Sequence, residues 1–342
     1  IMMIMNGLSL AIYWIGAVLI NDAQDMQEKF TLFSDMVVFS SYAMQVVMSF
    51  MMLVMIFIML PRASVAAKRI LEVLDTEPSI EDGTRDTFPV MKDGEVEFKD
   101  VSFKYPDAEE YVLEHISFSA KKGETIAFIG ATGCGKSTAI NLIPRFYDAT
   151  EGEVFVDGVN VKEYTQEALH NKIGYVSQKA ILFSGTIADN VAYGENGKAP
   201  ATQDDIAMAV KVAQASEFVE KKDQGYDGYV AQGGSNFSGG QKQRLSIARA
   251  IARQPEILIF DDSFSALDYK TDRILREALR KECKDATKII VAQRIGTIRD
   301  ADKIIVLDDG QIAGMGTHDE LMKNCEVYQE IAYSQLSKEE LA

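Results

Sequence analysis

Two long stretches without a single charge constrain this chain more than any other feature. Residues 1–20 and 36–60 contain no Asp, Glu, Lys or Arg, and the second reads MVVFSSYAMQVVMSFMMLVMIFIML. A bilayer hydrocarbon core of about 30 Å takes about 20 apolar helical residues, so both qualify as spans. Buried helices of a soluble domain seldom run this long without a charge, and no basic n-region or small-residue cleavage site marks a signal peptide. The segment between the runs holds Asp22, Asp25, Glu28 and Asp35 against Lys29 alone, whereas Arg62, Lys68 and Arg69 follow the second run. The positive-inside rule then places the acidic loop outside and the basic flank in the cytoplasm. Residue 1 is Ile within an apolar run, and two spans cannot enclose a pathway. The chain is therefore expected to be a fragment of a longer multi-pass protein of the cell membrane.

Beyond the spans the pattern changes. Residues 61–75 (PRASVAAKRILEVLD) keep helical spacing, with Pro61 able to kink a helix leaving the membrane without ending it. Residues 76–94, rich in Pro, Asp, Gly and Thr, read as a linker. From residue 95 to 342, strand-like runs alternate with helical stretches. The strands fall at Val96–Phe103, Thr125–Ile129, Val154–Val156, Ile173–Val176, Ile257–Phe260, Lys288–Val291 and Lys303–Leu307. Such alternation predicts an α/β domain with buried parallel strands. The 342 residues carry a formal net charge of −16, which excludes a nucleic-acid surface built of clustered Lys and Arg. Three scattered cysteines make neither a disulfide framework nor a zinc site and suit a reducing cytosol.

The chemistry lies in this second part. The strand at Thr125–Ile129 runs into Gly130-Ala131-Thr132-Gly133-Cys134-Gly135-Lys136-Ser137-Thr138 and then a helical stretch. This is a phosphate loop in its required setting: glycines let backbone N–H groups curl around phosphates, and the following helix N-terminus favours negative charge. Lys136 is expected to reach the β- and γ-phosphates and Ser137 to ligate Mg²⁺. Asp261, ending the apolar strand Ile257–Phe260, supplies a carboxylate that can hold Mg²⁺ through water opposite Ser137. Cys134, beside a helix N-terminus, is either a reactive thiol or only a small residue at a variable position.

Phe237-Ser238-Gly239-Gly240-Gln241, followed by Lys242-Gln243-Arg244, separates this chain from other phosphate-loop proteins. Here the sequence resembles the ATP-binding-cassette (ABC) family, whose signature usually reads LSGGQ. The resemblance covers nearly all of residues 95–330 and implies a P-loop NTPase cassette with a helical subdomain, using ATP and Mg²⁺. It implies that Ser238 and Gly240 contact the γ-phosphate of ATP held by an opposite cassette. Tyr105 is similar to the family's adenine-stacking aromatic, and Gln178 to the glutamine that links Mg²⁺ and the membrane domain. Asp268, in Ser265-Ala266-Leu267-Asp268, matches the loop that crosses the cassette dimer interface. The N-terminal part more loosely resembles the last two of six transmembrane helices of an exporter half.

Two residues depart from the family's pattern. Asp262 stands where a hydrolytic cassette carries the Glu that polarises the attacking water, and Gln293 where it carries the switch His. Asp is one methylene shorter, and a glutamine cannot carry a proton. His115, His170 and His318 lie too far from the motif to substitute. Both departures fall on one chemical step while the binding residues remain, which resembles heterodimeric exporters with one degenerate site. The implied partner is a second half-transporter carrying Glu and His. The alternatives are a homodimeric exporter with normal hydrolysis and a non-transporting regulatory or channel subunit; a soluble cassette ATPase is opposed by the two spans. The substrate class is a small molecule, lipid or peptide. Met44, Met48, Met51, Met55 and Met59 share one face of the second span, a stripe suited to promiscuous apolar binding or to plain helix and lipid packing.

Overall fold

The computed structural model describes residues 2–86, 94–222 and 224–335. The chain divides into two units, Ile1–Ser79 and Ile80–Ala342. In the first, helix α1 (Met2–Asp22) is followed by α2 (Met26–Leu74). Their most apolar windows have mean hydropathies of 1.9 and 2.4, and neither helix buries a residue within the unit. The acidic segment between the spans proves to be mostly helix rather than loop. Only residues 23–25 lie between the two helices, and Glu28 sits in the first turn of α2, where the positive end of the helix dipole favours it. α2 runs without interruption through Pro61, so the predicted second span and the stretch 61–75 are one element. At 1.5 Å per residue it is about 70 Å long, well beyond a hydrocarbon core of about 30 Å. Met48, Met51, Met55 and Met59 are exposed on it, and so is Met52 on another face.

The second unit is built on two sheets. Strands β1 (Val96–Phe103), β2 (Leu113–Ala120), β4 (Glu151–Val156) and β5 (Val159–Asn160) form one, in the order β2-β1-β4-β5, entirely antiparallel. This corrects the expectation of parallel strands for Val96–Phe103 and Val154–Val156. β2 was not evident as a strand; Leu113, Ile116, Phe118 and Ala120 face the core while exposed residues separate them, the pattern of a strand covered on one side. The other sheet holds β3 (Thr125–Ile129), β6 (Ile173–Val176), β9 (Ile257–Asp261), β10 (Thr287–Val291), β11 (Lys303–Asp308) and β12 (Gln311–Gly316). Its order is β12-β11-β3-β10-β9-β6, parallel except for the edge hairpin β11–β12. The central strands are covered on both faces. Ile126, Phe128, Ile259 and Ile289 point into the core toward the antiparallel sheet, and Ala127, Ile129, Phe260 and Ile290 into the core on the opposite side.

Helices α3 (Lys136–Asn141) and α4 (Gln166–Lys172) follow β3 and precede β6. A short antiparallel pair of β7 (Gly185–Thr186) and β8 (Tyr229–Val230), with α5 (Ile187–Val191), α6 (Gln203–Val212), α7 (Ser216–Glu220) and α8 (Gly239–Ala252), forms a helical insertion between β6 and β9. Helix α9 (Tyr269–Glu282) joins β9 to β10, α10 (Ile295–Ile298) joins β10 to β11, and α11 (His318–Asn324) and α12 (Glu326–Gln335) end the described chain.

Part of the expected linker is structured. The N–H of Gly83 donates to the Tyr164 carbonyl at 3.0 Å, and the Gln166 N–H donates to Asp82 Oδ1 at 2.6 Å, so the segment is clipped to the first turn of α4. Thr165 Oγ1 also donates to Asp86 Oδ1, at 2.8 Å. Residues 87–93 lie outside the described residues. A side chain on Gly83 would collide with the carbonyls of Glu163 and Tyr164, which are backbone and cannot rotate away. Gly83→Val is therefore expected to cost about 1–3 kcal/mol, as overpacking does, and to open residues 80–86 to protease. Limited proteolysis with a thermal melt measures both; an unchanged digestion pattern would show that the clip does not hold this segment.

Candidate functional site

The phosphate loop leaves β3 at Gly130. Its φ of 153° keeps the backbone in a region where side chains are strained, and a Cβ there would meet the Leu307 carbonyl and Cys134 Sγ. Gly135, the N-cap of α3 at φ 95°, would drive a Cβ to 2.6 Å from Leu113 Cδ2. The loop can close only with glycine at both positions. Lys136 Nζ donates to the carbonyls of Gly130 at 2.9 Å and Ala131 at 2.6 Å, so the ammonium lies within the ring of the loop. Cys134 is packed inward and 6% exposed, which favours the small core residue over an accessible thiol.

β9 and β6 bring in the opposite wall. Ser137 Oγ donates to Asp261 Oδ1 at 2.7 Å, joining hydroxyl and carboxylate across the sheet. Tyr175 on β6 donates to Asn141 Oδ1 at 2.8 Å and to Asp261 Oδ2 at 3.4 Å. Neither Tyr175 nor Asn141 stood out in the sequence; a signal existed only in Tyr175's place on a strand two residues before Ser177-Gln178. Burial and the adjacent Asp261 carboxylate push the Tyr175 hydroxyl above its ordinary value, so it stays a donor.

Asp262 sits just past β9 with φ 46°, and its N–H donates to the Val291 carbonyl at 3.0 Å. That left-handed turn aims its carboxylate into the site, where one oxygen takes two amides. Gln293 Nε2 donates to Asp262 Oδ2 at 2.8 Å, and Gln178 Nε2 donates to the same atom at 3.3 Å. Burial pushes the Asp262 carboxyl above its ordinary value, against the hydrogen bonds from Gln178 and Ser265 and the charge of Lys136, which lower it. Thr132, Gly133, Gly135, Lys136, Ser137, Thr138, Gln178, Asp262, Val291 and Gln293 enclose an open cavity of about 210 Å³.

The remaining expected residues lie elsewhere. Tyr105 is half-buried, its hydroxyl 3.0 Å from Thr138 Oγ1 and its ring edge-on to Tyr147 at 5.2 Å. Ser238 caps α8 in a capping box with Gln241, and both are exposed or nearly so. Phe237 is buried under the Lys222 ammonium, 4.4 Å from the ring centre. A Cβ on Gly239 would meet nothing within 4 Å, so another surface can approach the backbone there. Asp268 caps α9 by accepting from the Thr271 N–H at 3.0 Å, bonds that hold its carboxyl below the ordinary value. The segment Phe237–Gln241 and Asp268 do not line the cavity of the phosphate loop.

Oxygen donors of three kinds, a hydroxyl (Ser137), a carboxylate (Asp261) and the free amide oxygen of Gln178, suit a hard cation such as Mg²⁺. The loop, with its lysine, suits a polyphosphate.

The chain is similar to known proteins along most of its length. Residues 113–265 match the family model described as ABC transporter. The chain is 45% identical to an uncharacterized ABC transporter ATP-binding protein of Mycobacterium tuberculosis over 96% of its own length and 56% of that protein. It is 42% identical to an ATP-dependent lipid A-core flippase of Haemophilus influenzae, over 81% of this chain and 46% of that one. The solved structure of a bacterial Atm1-family ABC exporter with ATP bound superposes with a TM-score of 0.79 at 33% identity, covering 89% of this chain and 53% of that one. The chain thus spans about half the length of these relatives. It carries the ABC transporter domain behind two long apolar helices, and it shares the fold of the matching half of an ABC exporter chain.

Proposed function

We propose that this chain is one half of a heterodimeric ABC exporter whose own site holds ATP with Mg²⁺ and turns it over slowly. The pair formed by Gln293 Nε2 and Asp262 Oδ2 carries the proposal. A water-activating carboxylate must come within hydrogen-bond reach of the attacking water beside the γ-phosphate and take its proton. Here Asp262 is one methylene shorter than Glu and is tethered through Oδ2 by two amides, and Gln293 offers a donor that cannot titrate.

Lys136 and the loop backbone would hold the phosphates, Ser137, Asp261 and Gln178 the Mg²⁺, and Tyr105 the adenine. Mg²⁺ would neutralise charge on the phosphate oxygens. Phe237–Gln241 and Asp268 would face a partner cassette that carries Glu and His, completing its competent site. The exposed apolar α1 and α2 would lie in the cell membrane with the cassette in the cytoplasm, and the basic residues after the second span support that orientation. A hydrophobic or amphiphilic substrate fits the methionine face and the lipid flippase among the relatives.

The test is turnover against binding. The chain without its partner is expected to bind ATP and to hydrolyse it about 100-fold more slowly than an ordinary exporter cassette, the size of effect that a misplacement of about 1 Å produces. Ordinary turnover would favour a homodimeric exporter instead. Absence of directional transport in vesicles containing both subunits would favour a channel or regulatory subunit.

A further inference from the structure

The loop that carries Gln293 is held by the last described helix, α12. α12 reads EVYQEIAYSQ, and Tyr328, Ile331, Ala332 and Gln335 recur at i, i+3, i+4 and i+7, so all four share one face. Tyr328 and Ala332 on that face are fully buried, and the Tyr328 hydroxyl lies 2.8 Å from Nδ1 of the buried His318 on α11. The face is thus fixed at its start, and Gln335 is where it ends. There the Gln335 side chain spans the switch segment. Its Nε2 donates to the Gln293 carbonyl at 2.7 Å, and its Oε1 accepts from the Ile295 N–H at 2.9 Å. The first N–H groups of a helix lack internal partners, and Arg294 at the N-cap of α10 supplies none from its side chain. A residue from a remote helix supplies one.

We infer that Gln335 is a positioning residue for the nucleotide site: by bracketing the backbone of residues 293–295 it sets where the Gln293 amide lies against Asp262, and so how firmly bound nucleotide is retained. The connection is continuous. Gln335 holds the Gln293 carbonyl, Gln293 Nε2 holds Asp262 Oδ2, and Gln178 Nε2 holds the same oxygen across the cavity. Two further bonds keep the segment from shifting as a whole: Arg294 Nη1 donates to the Leu267 carbonyl and Nη2 to the Ser265 carbonyl, both at 3.3 Å. Movement of α12 can therefore reach Gln293 through this side chain, beside the packing of α12 against α10. The inference rests on Gln293 facing bound nucleotide, and it does not require the site to be slow.

Gln335 is exposed, so replacing it leaves the core intact. In the full protein, Gln335→Ala is expected to speed release of a fluorescent ATP analogue about fivefold, the scale of one neutral hydrogen bond. Hydrogen exchange in the peptide spanning residues 293–298 rises with it. Gln335→Glu separates the two bonds: it can still accept from Ile295 but cannot donate to Gln293. It is expected to keep much of the exchange protection and still release nucleotide faster. Unchanged release in Gln335→Ala would overturn the inference, whether or not exchange rises, because the side chain would then only cap α10. Wild-type release in Gln335→Glu would overturn it too. Ordinary ATP turnover by the unmodified site would count against the slow-site assignment and leave these readouts unaffected.

Discussion

Lys136→Ala is expected to weaken ATP binding about 10- to 100-fold, with the fold unchanged. A hydrogen bond to a charged group contributes about 1.5–3 kcal/mol, and each 1.4 kcal/mol is about tenfold in affinity. Lys136 is only 9% exposed, and its ammonium lies within the loop, bonded to the Gly130 and Ala131 carbonyls. Removing it leaves those two carbonyls to other partners and takes away the one positive side chain that lines the cavity among the described residues. Lys136→Arg is not a rescue, because a planar fork cannot occupy the space of a point charge inside the loop. Titration with a fluorescent ATP analogue measures the loss. Wild-type affinity in the alanine variant would place the nucleotide elsewhere.

Asp262→Glu combined with Gln293→His is expected to raise turnover at this site by up to about 100-fold. The added methylene moves the carboxylate toward the cavity, and an error of about 1 Å in placement is worth about 100-fold in rate. The histidine replaces an amide that now occupies Asp262 Oδ2 at 2.8 Å and restores a group able to carry a proton. The single variants should fall well short of the pair, since Gln293 would still hold the longer carboxylate and Asp262 would still lack reach. Single-turnover hydrolysis with the proposed partner's site silenced reads the effect. No increase in the pair would show that these two positions do not limit the step.

Much of the site was legible from residues close together in the chain. A phosphate loop works through backbone N–H groups, glycine conformations and one lysine, all within Gly130–Thr138, so its spelling carries its chemistry. The same holds for Ser238 through Gln241, where a capping box of adjacent residues starts a helix. The buried parallel strands were legible as well, because burial on both faces leaves unbroken apolar runs such as Ile257–Phe260. Burial on one face is harder to see. β2 has apolar residues on one face only, and β12 is short, glycine-rich and nowhere buried, so both escaped notice; with β2 went the antiparallel sheet, and with β12 the edge hairpin of the other.

The amino-acid order alone showed which groups are present: a lysine among glycines in Gly130–Thr138, Ser137 and Asp261, and Asp262 and Gln293 where the family resemblance leads one to expect Glu and His. It also carried the two charge-free runs, since a membrane-length apolar segment announces itself by composition. Folding settled who touches whom. Asp262 meets Gln178 from 84 residues away and Gln293 from 31, while Gln293 is itself held by Gln335 from 42. No local period encodes such pairings. They exist because parallel strands β6, β9 and β10 end side by side, and because α12 docks with Gln335 at the tip of its buried face.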